Sequence, residues 1–405
     1  MLGALCGPVG CAGPRPAAAP GGPGAVRPGI DVLLADSASL VRGRRVGLVT
    51  NQSGVDASGV SDVVRLRAAG VRLVALFSPE HGFRGAAEPG AAVASSVDSA
   101  TGLPIYSLYG RTSAPTDEML AGIDVLLVDL QDAGARYYTY ITTAVDVMKS
   151  AAGKRIPVIV LDRPNPIGGT VQGNVLEEAH ISAVGRLRVP MRHGLTLGEL
   201  ARLARADLGI AGELVVVPAS GWRRTTALDA TGLPFVPPSP NLRTLESLFH
   251  YPGLCLFEGT NLSVGRGSGA PFEQVGAPWL DTAAVLADLH GAGLPGVRAR
   301  GVAFTPRRPG DGKYADTLLA GIRLEVTDRG AYDPTAAAVH LLAAVRRRHP
   351  GAFAWIPKHF DRLAGTVSLR AAIDSGADPA AVVRGWEPAR REFLERRKAV
   401  LLYPE

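Results

Sequence analysis

Four apolar runs, "RVGLVT" (45–50), "VRLVALF" (71–77), "DVLLVDL" (124–130) and "IPVIVLD" (156–162), recur along the first part of the chain. They show almost no polar–apolar alternation, so each reads as a strand buried on both faces. Helical stretches lie between them: "GVSDVVRLRAAG" (59–70) closed by Gly, "PTDEMLAGI" with Pro and acids in its first turn, and "YTYITTAVDVMKSAAG". This alternation predicts an α/β fold, a parallel sheet with helices on both faces. It resumes with "TLGELARLARADLGI", a helix capped by Thr196, and the strand "ELVVVPA".

The Pro-rich stretch "LPFVPPSPNL" (233–242) interrupts the pattern. A chain of 405 residues exceeds the usual size of one core. The expected organisation is an N-terminal segment over 1–28, a catalytic α/β domain over 29–240 and a smaller α+β domain over 241–405. The second domain holds "GLCLFEG", a Gly-rich loop "SVGRGSGAP", a helix from 281, strands "RARGVAF" and "GIRLEVTD", and a helical C-terminus. No internal repeat is visible.

Composition narrows the class. Apolar residues make up 46% and charged residues 20%, the balance of a globular protein. The net charge of +6 comes from Arg, since Lys occurs only at 149, 154, 313, 358 and 398. The basic runs Arg346–Arg348 and Arg396–Lys398 fall in helical patterns without interleaved aromatics, so they read as solvated faces and no nucleic-acid partner is expected. No apolar run after the N-terminus approaches the roughly 20 residues of a membrane span. Cys255 reads as a small buried residue, and neither a disulfide framework nor zinc spacing is present.

The opening segment, "MLGALCGPVGCAGPRPAAAPGGPGAVRP", is too rich in Gly, Pro and Ala to build a core. It resembles the tail of a secretion signal followed by a linker, although a positive n-region is missing. "PVGC" is similar to an imperfect lipoprotein-processing site at Cys11, and Cys6 lies in the same segment. The reading is export, periplasmic or extracellular, with lipid attachment at Cys11 as a variant. A misplaced start codon or a disordered tail on a cytoplasmic protein is the alternative.

Ligands of open parallel sheets bind beyond the carboxyl ends of the strands. Here those ends are unusually polar. The first runs into Asn51 and Gln52, the second into Glu80, His81 and Arg84. The third meets Asp129, Gln131, Asp132, Arg136 and Tyr137, the fourth Asp162, Arg163 and Asn165. Any one of these loops could be an ordinary solvated turn. Four together, each stiffened by Pro or Gly, predict one shared cleft.

Its chemistry is narrowed by elimination. No P-loop occurs, no G-x-G-x-x-G follows the first strand, and no G-x-S-x-G elbow is present. "GRGSG" (265–269) follows an expected strand but lacks the dinucleotide spacing. The eight His form neither H-x-H nor H-E-x-x-H, so no metal or other cofactor is expected; a site at Glu80, His81, Asp129 and Asp132 would have a single nitrogen ligand. Carboxylate chemistry remains. An acid with an apolar flank can hold its proton near neutral pH and protonate a leaving oxygen, as glycoside hydrolysis requires. Glu80 suits that role because it ends a buried strand behind Pro79. His81 either orients it or makes a structural hydrogen bond to a neighbouring loop.

"SPEHGFRG", "DLQDAGARYYTYI", "LDRPNPIGG", "EGTNLSVGRGS" with "PFEQVGAP", and "FDRLAGT", in this order over about residues 30–405, resemble the exo-β-N-acetylmuramidase family. The resemblance implies a hydrolase that removes N-acetylmuramic acid from the non-reducing ends of peptidoglycan fragments. It further implies a Rossmann-like domain with a smaller auxiliary domain, a cleft between them and no metal. The match at "PEHG" points to Glu80 as the leading catalytic carboxylate with His81 beside it, and Asp132 joins them as the further catalytic candidate. Asn51, Arg84, Asp129, Arg136, Tyr137, Asn165, Glu258, Asn261, Arg266 and Glu273 are the pocket candidates. Arg84, Arg136 or Arg266 would meet the lactyl carboxylate of muramic acid. The rivals are a non-catalytic muropeptide- or sugar-binding module and a metal-dependent hydrolase.

Overall fold

The computed structural model describes residues 25–405. The expectations for Cys6, Cys11 and the secretion signal therefore lie outside the described residues, apart from the last few of the opening segment.

Seven strands form the main sheet: β1 (Arg45–Thr50), β2 (Arg72–Ser78), β3 (Ser96–Val97), β4 (Pro104–Ser107), β5 (Val125–Asp129), β6 (Val158–Leu161) and, after a small hairpin of β7 (Gln172–Val175) and β8 (Pro190–Arg192), the edge strand β9 (Leu214–Val217). Their spatial order is β3-β4-β2-β1-β5-β6-β9, and every neighbouring pair is parallel except β3–β4. The four apolar runs are thus the sheet's centre, and their side chains are buried on both faces as continuous apolar strands require.

Helices α1 (Gly29–Asp36), α2 (Asp62–Ala68), α3 (Asp117–Leu120), α4 (Tyr140–Lys154) and α5 (Leu197–Asp207) accompany this sheet. α5 starts where expected, in a capping box: Thr196 Oγ1 accepts from the Glu199 N–H, and the Glu199 carboxylate accepts from the Thr196 N–H. Helix α4 ends at Arg155, which takes a left-handed conformation and closes the last turn.

The rest of the chain builds a second, antiparallel sheet, β10 (Gln274–Ala277), β12 (Leu319–Val326) and β11 (Val297–Phe304) in that order. Helices α6 (Leu245–Leu254) and α7 (Thr282–Ala292) pack on it, and α8 (Pro334–Arg348) packs on both helices. Helices α9 (Pro357–Ala364), α10 (Ser368–Asp374), α11 (Pro379–Arg384) and α12 (Glu387–Arg397) follow. "GLCLFEG" does not form a strand. Residues Cys255–Gly259 are a 3-10 turn running on from α6, and the isolated bridges Thr260–Trp355 and Ser263–Gly276, not a strand, lead into the Gly-rich loop. The apolar run was too short to tell a buried helical turn from a strand.

One apolar cluster runs through both parts, joining Val128 and Tyr140 to Phe257, Val275, Leu341 and Phe360. The two sheets therefore share a core, and a cleft between them has rigid walls.

Candidate active site

The end of β2 sets the site. After Ser78 the chain turns sharply at His81 and Gly82, both in the left-handed region with φ of 71° and 75°. This turn keeps Glu80 at the strand end, buried, instead of letting the chain continue outward. The loop that follows curls back, and the Gly90 N–H donates to Glu80 Oε1 at 3.0 Å. From the opposite side Thr139, the residue before α4, donates its hydroxyl to Glu80 Oε2 at 2.6 Å. Each carboxylate oxygen is thus tied to a different segment. The Tyr109 phenol lies close by; burial and the Glu80 charge push its pKa up to about 12, so it stays protonated.

His81 Nδ1–H donates to the Ala87 carbonyl at 2.8 Å. Burial, with a smaller push from the Arg266 charge, holds its pKa below the ordinary value despite the adjacent Glu80. The ring is therefore neutral at pH 7, with Nε2 left as an acceptor.

These residues open on a cleft of ≈ 290 Å³ whose far wall comes from the second part of the chain. Tyr251, Phe272, Glu258 and Arg266 line that wall, with Asp311, His359 and Arg362 completing it. Arg266 holds Glu258 at 2.6 and 2.7 Å and lies over the Phe272 ring, 4.9 Å from its centroid. Burial alone would lower the Arg266 pKa, but the Glu258 carboxylate overrides it and raises it. Tyr137 also lines the cleft, its hydroxyl donating to the Pro252 carbonyl at 3.0 Å.

Five of the expected residues, Glu80, His81, Tyr137, Glu258 and Arg266, therefore meet at one cleft. The others do not line it. Asp132 is turned back by the tight bend at Gly134; its Oδ2 accepts from the Gly134 N–H at 2.6 Å and lies 3.3 Å from His193 Nε2. Asp129 is ion-paired inside the protein with Arg163. Asn51 bonds Tyr140 and Ser53, and Asn165 bonds Leu195 and Ile167. The Arg136 guanidinium is buried against the carbonyls of Asn174, Val189, Leu363 and Ala364, at 2.8–3.1 Å. Glu273 bonds Thr244 and Arg323, and Asn261 ties the backbone of Ala352 and Ala354. Arg84 is exposed on the turn and does not line the cleft.

The reason is the Pro-rich segment. It lies over the ends of the central strands, where Pro238 O accepts from the Tyr138 and Tyr140 hydroxyls at 2.7 and 2.9 Å and Pro237 O from the Gln52 side-chain amide at 3.0 Å. The polar rim of β1, β5 and β6 is therefore an internal network, and the open part of the rim is at β2. Thr139, Tyr109, Tyr251, Phe272, Asp311, His359 and Arg362 were not singled out from the sequence. Thr139, Phe272 and Arg362 do stand within the quoted stretches "DLQDAGARYYTYI", "PFEQVGAP" and "FDRLAGT". Among the described residues no three His, Cys, Asp or Glu side chains converge as a metal site, and no helix is long and apolar enough to cross a membrane.

The comparisons with known proteins match this architecture end to end. Residues 46–246 match the family model described as exo-beta-N-acetylmuramidase NamZ, N-terminal, and residues 249–403 match its C-terminal counterpart. The peptidoglycan beta-N-acetylmuramidase NamZ of Bacillus subtilis (strain 168) is 42% identical over 381 residues, 93% of this chain and 91% of that protein. Two crystal structures of DUF1343 family proteins from Bacteroides fragilis NCTC 9343 superpose with TM-scores of 0.86 and 0.77, at 34% and 30% identity. Each covers 94% of this chain and 99% of its own. With both halves matched in order, the chain belongs to the exo-β-N-acetylmuramidase NamZ family.

Proposed function

We propose that this protein is a glycoside hydrolase that releases N-acetylmuramic acid from the non-reducing ends of peptidoglycan fragments, with Glu80 handling the proton. The observation that carries the reading is the placement of Glu80. It is a buried carboxyl at the cleft, held through each of its oxygens by a different segment of the chain. Positioning of this kind is what general acid–base assistance requires. Membership of the family supports the substrate class.

In the proposed reaction the Glu80 carboxyl gives its proton to the glycosidic oxygen as the bond from that oxygen to C1 breaks. Positive charge develops at C1 and the ring oxygen. Glu258, held by Arg266, lies across the cleft from Glu80 and is placed to meet that charge. Water adds to C1, and its proton passes to a carboxylate in the cleft. The aromatic wall of Tyr251 and Phe272 gives the sugar an apolar surface on which to pack. The two-part, Rossmann-like organisation of the chain follows the same reading, with the sugar bound between the parts.

A chromogenic β-N-acetylmuramide and a natural disaccharide, given to wild type and Glu80→Gln, test the assignment. The variant keeps the shape but carries no transferable proton, so turnover of the disaccharide should fall by about 10²-fold or more. The nitrophenyl substrate, whose leaving group needs no protonation, should lose less. Near-wild-type turnover of the disaccharide by Glu80→Gln would reject Glu80 as the acid.

A further inference from the structure

We infer that Arg362, braced by His359, is the anchor for the acidic group of the sugar and sets the preference for an anionic over a neutral substrate. The inference rests on the muramidase reading above and concerns which residue of the cleft recognises the carboxylate.

A carboxylate needs a cation that is accessible and not already neutralised. The candidates expected from sequence fail one condition or the other. Arg136 is buried and spends its donors on four backbone carbonyls. Arg84 does not reach the cleft wall. Arg266 lines the cleft but is already paired with Glu258 in a side-chain geometry that is 9% exposed. Lys313, near the same wall, gives its ammonium to the carbonyls of Glu258, Thr260 and Leu262 at 2.7–3.1 Å.

Arg362 differs from all of these. It lines the cleft and is exposed, and among the described residues it makes no ion pair with any carboxylate. Its guanidinium donates from Nη2 to His359 Nδ1 at 2.7 Å. His359, half-buried in the same wall, accepts that bond through an unprotonated nitrogen. One edge of the guanidinium is thus fixed to the protein by a partner that is not a carboxylate, and its other N–H donors are left for a ligand. A pre-positioned Arg loses less entropy on binding a carboxylate than a free one does. Arg362 lines the same cleft as Glu80, the proposed acid. The carboxyl groups of Glu80, Glu258 and Asp311 line the same cleft without forming an ion pair with Arg362.

The test compares wild type, Arg362→Met and Arg362→Lys on two probes: a chromogenic β-N-acetylmuramide, and the same sugar with its lactyl carboxylate converted to the primary amide. Calorimetry with free N-acetylmuramic acid and free N-acetylglucosamine reads the same preference without turnover, and thermal melting controls for folding. Loss of one charged hydrogen-bonded contact predicts a rise in KM of about 10–100-fold for Arg362→Met on the acid, with kcat much less affected. The loss on the amide should be far smaller, and Arg362→Lys should recover part of the preference. Equal losses on acid and amide, or an acid preference that survives Arg362→Met in calorimetry, would overturn the assignment. A wild-type protein that cleaves neither probe and binds neither sugar would instead remove the muramidase reading on which the inference rests.

Discussion

Thr139 and Glu80 stand 59 positions apart in sequence, yet the threonine hydroxyl donates to Glu80 Oε2 at 2.6 Å. The bond joins the residue before α4 to the turn after β2. It makes the carboxyl part of a rigid frame, and the frame rather than the loop determines where a proton can be delivered.

Removing that bond should separate positioning from chemistry. Thr139→Val keeps the shape and loses the donor. We expect kcat to fall about tenfold, the cost of one hydrogen bond to a charged group, with KM nearly unchanged. The loss should be much smaller than that of Glu80→Gln, because the carboxyl remains. Steady-state kinetics of the two variants on one natural disaccharide make the comparison. A Thr139→Val enzyme as impaired as Glu80→Gln would give the hydroxyl itself a chemical role.

His81 holds its left-handed backbone at φ 71°, which L-residues other than Asn and Asp occupy at a cost. His81→Ala and His81→Asn both lose the bond to Ala87. Only Ala bears the full backbone strain, so it should be the less stable of the two by about 1 kcal/mol. Urea unfolding decides between them, and the opposite order would mean the turn relaxes when the imidazole leaves.

Asp62 is buried beside Asp129, and neither of its oxygens has a hydrogen-bond partner. Burial, then the Asp129 charge, raises its pKa well above the usual carboxylate range; Arg163, 3.7 Å away, only partly offsets this. The native state therefore keeps a proton that the unfolded chain releases above about pH 4. Stability from this group is complete below that pH and declines as pH rises towards the native pKa, by about 1.4 kcal/mol per pH unit for one proton. Asp62→Asn copies the protonated form. Its melting temperature should exceed that of wild type at pH 8, with the difference shrinking towards pH 4.5. Parallel melting curves across that range would contradict the shift.

Near the C-terminus, the Tyr403 hydroxyl donates to Asp162 Oδ2 at 2.6 Å and accepts from the Ala219 N–H at 3.0 Å. Burial pushes Asp162 up to about 7, against the bonds from Thr196 and Tyr403. Tyr403→Phe removes one bond to the carboxylate and leaves the Ala219 N–H unpaired, so it should cost roughly 1–3 kcal/mol. The cost should be greater at pH 8 than at pH 5, where the native carboxyl is largely protonated. Chemical denaturation at the two pH values measures it. A cost independent of pH would place the effect on the lost bond from the Ala219 N–H, and no cost at all would leave Tyr403 acting only through its edge-to-face packing on Trp222, which Phe keeps.

The sequence determined the layered α/β framework, because a strand buried on both faces must be apolar throughout and its crossover helix must carry the matching stripe. β1, β2, β5 and β6 stand parallel where the four apolar runs lie, and Thr196 caps α5 as its residue type and the Glu three positions on require. It also marked the turn at Glu80 and His81, since an acid, an imidazole and a Gly directly after a buried strand form a local signal. What a local signal cannot say is which polar strand ends stay open. Asp129, Asn165 and Arg136 look as functional in sequence as Glu80 does. Only the tertiary structure turns them inward: the Pro-rich segment closes over the central strands, Asp129 pairs with Arg163, and Asn165 and Arg136 spend their side chains on backbone groups. Arg362 and His359 reach the cleft through contacts more than two hundred residues distant from Glu80. Their accessibility and charge balance depend on packing between the two sheets, which no spacing in the chain encodes.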